Sequence, residues 1–139
     1  MQLSIVIPCL NEIETIEICI NKCFKSIKKL NIEAEILIAD NGSTDGSTEI
    51  AKKMGARVVD IKKKGYGNAL RGGINEAKGK YIIMADCDDS YDFLSIDLFY
   101  NKLLEGFDMV QGCRFPIGGG KIEDKAMPFS HKYIGNPFF

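Results

Sequence analysis

Short apolar runs alternate with segments of helical period along most of the chain, and that alternation restricts it to one class of fold. Leu3 to Pro8 is an apolar strand. Ile13, Ile16, Ile20, Cys23, Phe24, Ile27 and Leu30 then recur at helical spacing, with Asn11 placed to cap the helix and Glu14 three residues on, as in a capping box. Ala34 to Ala39 is a second strand ending in Asp40, followed by the turn-rich Asn41–Gly46 and a short helix from Ser47 to Met54, with Gly55 as its C-terminal cap. Arg57 to Ile61 reads as a third strand, Asn68 to Ala77 as a helix, Tyr81 to Ala85 as a fourth strand, Ser95 to Glu105 as a helix, and Asp108 to Gly112 as a fifth strand. Strands alternating with helices imply β-α-β units and a mostly parallel α/β sheet, and continuous apolar runs imply strands covered on both faces.

A parallel sheet binds its ligands beyond the carboxyl ends of its strands, near a topological switch point. The polar groups of this chain fall at those ends: Asn11-Glu12, Asp40, the Lys62–Gly67 loop and Asp86-Cys87-Asp88. In the last of these, residues two apart point the same way in extended chain, so Asp86 and Asp88 present two carboxylates side by side. Hard oxygen ligands of this kind suit Mg²⁺ or Mn²⁺, and such a metal can hold a diphosphate. A carboxylate at Asp40 can accept hydrogen bonds from a base edge or a ribose. Lys62, Lys63, Lys64 and Arg71 surround Gly65 and Gly67, where backbone and a helix N-terminus can approach a phosphate. Leu70 stands where a dinucleotide fingerprint needs its third glycine, and no Gly-Lys-Ser/Thr P-loop occurs. Arg114, after Gly112-Cys113, can neutralise a leaving diphosphate. His131 is the one histidine of the sequence and offers an acid, a base or a phosphate contact.

Composition excludes several classes. The 139 residues suffice for one core, and 45% hydrophobic with 27% charged residues is ordinary for a soluble globular domain. A formal net charge of −1 argues against nucleic-acid binding. No apolar run approaches the roughly 20 residues that span a bilayer, and the N-terminus lacks the features of a signal peptide. Five cysteines, an odd number without a C-x-x-C pair, read as buried thiols of a reduced cytosolic protein, with Cys19 and Cys23 packing on one helix face. The sequon Asn41-Gly42-Ser43 is discounted for the same compartment. After Arg114 the pattern dissolves into Gly118-Gly119-Gly120 and a mixed tail, so the chain reads as a single domain over 1–139, cut short at its C-terminus.

Taken in order, these motifs resemble the family 2 glycosyltransferases of the GT-A fold. Ile5-Val6-Ile7-Pro8-Cys9-Leu10-Asn11-Glu12 is similar to that family's V-x-I-P-x-x-N-E opening, and Asp40-Asn41-Gly42-Ser43-Thr44-Asp45 to its D-D-G-S-T-D loop. Gly65-Tyr66-Gly67-Asn68-Ala69-Leu70-Arg71-Gly72-Gly73 is similar to its G-x-G-x-A-x-R-x-G segment, Asp86-Cys87-Asp88 to its D-x-D, and Gly112-Cys113-Arg114-Phe115 with Gly118-Gly119 to its G-S-R-Y…G-G. Asn41 replaces an aspartate of that pattern and Cys113 a serine. Met127-Pro128-Phe129 and Tyr133–Pro137 resemble the dolichol-phosphate mannosyltransferase and polyprenyl-phosphate glycosyltransferase branch.

The resemblance implies an inverting, metal-dependent transfer from a UDP- or GDP-sugar to an acceptor, polyprenyl phosphate by the branch it resembles, at the cytoplasmic face of a membrane. It places Pro8, Asn11 and Glu12 at the nucleotide, Asp40 at the base, Lys64, Gly67 and Arg71 among the donor contacts, and Asp86 near ribose and diphosphate. Asp88, with Asp86, becomes the ligand of Mg²⁺ or Mn²⁺, and Arg114, His131 and Lys132 become phosphate contacts. The alternative is a truncated module that binds a nucleotide sugar without turnover. A phosphoacceptor receiver domain needs an acidic pair after strand one and a lysine after strand five, where Leu10-Asn11-Glu12 and Cys113-Arg114 stand.

Overall fold

Every residue of the first strand, β1 (Leu3–Cys9), is buried, because strands pair with it on both sides. The computed structural model describes residues 1–113. The chain divides after Asp108, and the fold set out here is that of Met1–Asp108. Its elements run β1, α1 (Ile16–Leu30), β2 (Ala34–Asp40), α2 (Ser47–Lys53), β3 (Arg57–Asp60), α3 (Tyr66–Glu76), β4 (Tyr81–Met84), a 3₁₀ turn at Phe93–Ser95, and α4 (Ile96–Leu104). The four strands form one parallel sheet in the order β3-β2-β1-β4. The chain thus winds outward from β1 through β2 to β3 and then crosses to the other side of β1, making the boundary between β1 and β4 the topological switch point.

Right-handed crossovers put helices on opposite faces when the winding direction reverses. One face carries Leu3, Ile5, Ile7 and Cys9 of β1 with Ile36 and Ile38 of β2, and these pack with Ile16, Cys19, Ile20 and Cys23 of α1 and with Phe93, Ile96 and Tyr100. Burying side chains of this size is worth about 1.5–3 kcal/mol each. The other face receives α3, whose approach is set by Gly73: a Cβ there would lie 2.6 Å from Val6 Cγ1 and 2.9 Å from the Ala39 Cβ. At the amino ends of the strands a polar network closes the sheet. Ser4 Oγ donates to Glu35 at 2.6 Å, Arg57 Nε meets the same carboxylate at 2.9 Å, and the Lys78 N–H reaches it at 2.8 Å. Burial pushes the Glu35 carboxyl up, but Arg57, Ser4 and the Lys78 N–H together hold it below the usual range.

Three sequence expectations are corrected. The capping box at Asn11 and Glu14 does not form. Helix α1 begins at Ile16, and Asn11 sits at φ +58°, a left-handed conformation incompatible with an N-cap. The segment Asp108–Gly112 is not a strand, and the described sheet has four. The run Tyr81–Ala85 is only half-buried: β4 ends at Met84, which is 49% exposed, because β1 is its one described neighbour. Among the described residues no helix is long and apolar enough to cross a membrane.

The close contact under α3 yields a direct test. Gly73→Val forces branched methyls into Val6 and Ala39 and should cost about 1–3 kcal/mol through overpacking, read as a lower urea midpoint. An unchanged midpoint would show that α3 can lift from the sheet without penalty.

Candidate functional site: a cleft at the switch point

Beyond the carboxyl ends of β1 and β4 lies a cleft of about 450 Å³. It is lined by Pro8 near the end of β1, Leu10 and Glu12 from the loop after it, Asn41 from the loop after β2, Lys64, Gly65, Tyr66 and Ala69 around the start of α3, and Asp86 and Asp88 after β4. Cys9 and Cys87 form its floor.

The loops after β1 and β2 are sewn together. Asn11 donates its N–H to Ser43 Oγ at 2.9 Å and accepts the Thr44 N–H on Oδ1 at 2.8 Å. The Glu12 N–H reaches the buried Ser47 Oγ at 3.0 Å, and the Ile13 N–H reaches Asp45 Oδ2 at 2.9 Å. The Ser47 hydroxyl on Asp45, with the Ser47 and Ile13 N–H groups, holds the Asp45 carboxyl below its ordinary value. Asp40 is buried, and its carboxylate takes the Gly42 N–H at 3.0 Å and the Ser43 N–H at 3.1 Å.

Asn41 performs a task that an aspartate cannot. Its Nδ2 donates to the carbonyls of Ile61 (2.7 Å) and Lys63 (3.0 Å), and its Oδ1 accepts the Gly65 N–H at 2.7 Å. The amide is buried and saturated by backbone, and it fastens the basic loop that leads into α3. Lys64 folds back so that its ammonium meets the Asn41 carbonyl.

The acidic triplet lies past the end of β4, in a turn rather than in extended strand. Its alternation survives because Cys87 points inward. That residue is 2% exposed, and its thiol is pushed up by contact with the Cys19 and Cys9 thiols and by burial. Asp86 and Asp88 are left on the cleft side of it. Asp88 Oδ1 accepts the Ser90 hydroxyl at 2.6 Å and the Ser90 N–H at 3.0 Å, which holds its carboxyl below the ordinary range. Asp86 Oδ1 accepts the Tyr66 hydroxyl at 2.7 Å, and that hydrogen bond, ahead of burial, pushes the phenol up to about 12. Asp89 takes a left-handed conformation (φ +60°) and is tied to α1 by Lys22 at 2.6 Å.

Two carboxylates facing a cleft suit a hard divalent cation. Among the described residues no third acidic, histidine or cysteine side chain joins them in a ligand cluster. A metal held here would therefore complete its shell with water and with oxygens of its ligand, the usual habit of Mg²⁺ beside phosphates.

Of the residues expected at the site, Pro8, Glu12, Lys64, Asp86 and Asp88 line the cleft together. Asn11 and Asp40 shape its rim from behind, through their hydrogen bonds. Gly67 and Arg71 are exposed on α3 and do not line it. Arg114, His131 and Lys132 lie outside the described residues. Sequence reasoning missed Tyr66 and the role of Asn41. An aromatic at the first helical position, between two glycines in a polar loop, was the available signal for Tyr66. The partners of Asn41 are backbone atoms 20 to 24 residues away and leave no mark in sequence.

The model of the family described as glycosyl transferase family 2 matches residues 4–138. The chain belongs to that family. It is 38% identical over 136 residues to a low-salt glycan biosynthesis hexosyltransferase, Agl6, of Haloferax volcanii, covering 97% of this chain and 32% of that relative. It is 36% identical over 85 residues to a dolichyl-phosphate hexose transferase of the same organism, covering 61% of this chain and 37% of the relative. Among solved structures, glucosyl-3-phosphoglycerate synthase of Mycobacterium tuberculosis, in complex with Mn²⁺, UDP and glucosyl-3-phosphoglycerate, superposes with a TM-score of 0.64 at 30% identity, over 76% of this chain and 40% of that one. This family 2 chain therefore carries the GT-A architecture, and it spans about a third of the length of these two curated relatives.

The site geometry sets two expectations. Asn41→Asp, which restores the residue of the family 2 pattern, replaces two donors with acceptors facing the carbonyls of Ile61 and Lys63. It should cost about 1–3 kcal/mol in urea unfolding at neutral pH, and equal stability would mean that the basic loop is held by other contacts. The second concerns pH. The folded pKa of Asp45 is lowered, so its stabilisation is present above the unfolded carboxylate value of about 3.9 and is lost as pH falls through the folded one. The difference in unfolding midpoint between the wild type and Asp45→Asn should be largest near neutrality and shrink below about pH 4. A gap that stays constant with pH would sink this account.

Proposed function

We propose that this chain is the donor-binding part of a metal-dependent, inverting glycosyltransferase that moves a hexose from a UDP- or GDP-sugar to polyprenyl phosphate at the cytoplasmic face of a membrane. The observation that carries the reading is the convergence of Asp86, Asp88, Lys64 and the N-terminus of α3 on one cleft at the switch point of the sheet. Two acidic groups beside a basic one and a helix N-terminus suit a metal-bound diphosphate better than either a free cation or a free anion. Further support comes from the Mn²⁺ and UDP of the mycobacterial synthase structure and from the dolichyl-phosphate transferase among the relatives.

On this reading Pro8, Leu10 and Glu12 form one wall of the nucleotide pocket. Asp40, with two oxygens and about four acceptor positions, keeps capacity for a base N–H beyond the two backbone N–H groups it already takes. Lys64 and the first turn of α3 receive the diphosphate. Asp86 and Asp88 would hold Mg²⁺ or Mn²⁺, which as a Lewis acid stabilises the charge of the departing nucleoside diphosphate. A lipid phosphate is already anionic, so attack needs no side-chain base. Arg114, His131 and Lys132 enter as phosphate contacts on family resemblance.

Calorimetric titration with UDP-glucose, UDP-GlcNAc and GDP-mannose, with and without Mn²⁺, tests the donor half. One donor should bind in a metal-dependent way, and Asp88→Ala should weaken it about 10-fold or more, equivalent to about 1.4 kcal/mol. A folded chain that binds none of the three would overturn the reading. Transfer of labelled sugar to polyprenyl phosphate in vesicles tests the acceptor half, and binding without transfer would identify a non-catalytic nucleotide-sugar module.

A further inference from the structure

Tyr66 is 61% exposed, so burial does not explain where its ring stands. It is the first residue of α3, follows Gly65 at φ +113°, and sends its hydroxyl to Asp86 Oδ1 at 2.7 Å. That hydrogen bond crosses the cleft between two loops that no strand pairing joins, the one before α3 and the one after β4. The loop before α3 is itself anchored to the loop after β2 by the Asn41 amide. The two carboxylates of the triplet are thus treated alike: Ser90 takes Oδ1 of Asp88 and Tyr66 takes Oδ1 of Asp86. Among the described residues no hydrogen bond or ion pair reaches either Oδ2. Ser90 is local to its partner, whereas Tyr66 comes from another loop, so the orientation of Asp86 depends on the loop before α3 being in place.

We propose that Tyr66 is a positioning residue, whose hydroxyl fixes Asp86 and thereby couples the basic loop to the divalent-cation site. The proposal rests on the reading of Asp86 and Asp88 as the metal-holding pair. Groups that orient a metal-bound carboxylate from behind typically account for 10–100-fold in metal affinity. A phenol that only offered its ring to a base or sugar would instead act through its apolar face, and phenylalanine would replace it in full.

The test uses the whole chain with Mn²⁺ and UDP as probes. Mn²⁺ binding is followed by electron paramagnetic resonance in the presence of UDP, UDP binding by calorimetry in EDTA, and folding by thermal melting. Tyr66→Phe, at an exposed position, should melt as the wild type does. It should bind Mn²⁺ about 10-fold more weakly or worse while its metal-free UDP affinity stays unchanged. Tyr66→Ala should lower Mn²⁺ affinity by a similar factor. Wild-type Mn²⁺ affinity in Tyr66→Phe would overturn the proposal. So would an equal loss of UDP affinity with and without metal, which would make the hydroxyl a direct nucleotide contact. If the folded wild type itself binds no Mn²⁺ with UDP, the donor-site reading fails and takes this inference with it, whereas failure of the Tyr66 variants alone leaves that reading intact.

Discussion

The site depends on how the backbone leaving β1 is satisfied. A strand buried along its whole length delivers its next residues to a place where the ladder has ended and the following helix has not begun. Three successive N–H groups, at Asn11, Glu12 and Ile13, fall in this gap, Glu12 half-buried and the other two exposed, and each takes a side-chain acceptor. The segment after β2 supplies all three, through Ser43 and Asp45 of the loop and Ser47 at the start of α2. The polar composition of Asn41–Ser47 suits that task. The loop is rich in short hydroxyl and carboxylate side chains because they serve as the acceptors of the neighbouring loop, and it stays in place because Asp40 holds its first turn.

The same logic extends across the cleft. Asn41 carries the order of the β2 loop to the basic loop, and Tyr66 carries it on to the acidic triplet. The Asn41 link is three hydrogen bonds and the Tyr66 link one, individually modest, but each joins segments far apart in sequence and removes freedom that a bound ligand would otherwise have to remove. The acidic side is held from below as well. Cys87 is anchored in the core, Lys22 takes Asp89, and Ser90 takes Asp88. One oxygen of each carboxylate is engaged by a neutral donor. On the proposed reading, such a pair would attract a divalent cation and, through it, an anionic ligand that the carboxylates alone would repel.

The sheet was legible in the sequence because parallel strands covered by helices are largely apolar runs, as Leu3–Pro8 and Ala34–Ala39 are, whereas the edge strand β3 keeps Arg57 and Asp60 and is only half-buried. The polar motifs were legible at the strand ends, while the position of the switch point between β1 and β4 comes from the strand order alone. The start of α1 was not legible. Asn11 has the chemistry of a helix cap, but the Thr44 N–H claims its side chain and left-handed backbone keeps it out of the helix. The spacing of Asp86 and Asp88 correctly put both on one side, for a reason that the alternation rule did not supply. The strand has ended there, and the burial of Cys87 among the Cys9 and Cys19 thiols sets the direction. Asn41 looked like a lost charge when compared with the family pattern, and only the carbonyls it meets show it to be a gained pair of donors.

The two ends of the sheet are built on opposite principles. At the amino ends, Glu35 is closed in by Ser4, Arg57 and Lys78, a carboxylate with its acceptor capacity filled and its charge paired. At the carboxyl ends, Asp86 and Asp88 each have one oxygen engaged and, among the described residues, one without a partner, and Lys64, which lines the same cleft, is turned toward a backbone carbonyl. Holding them apart within one cleft, each secured by neutral donors or acceptors, keeps both available for a ligand that needs them together. That separation of unlike charges, more than the acidic triplet itself, supports the proposed binding role of the carboxyl end of this sheet.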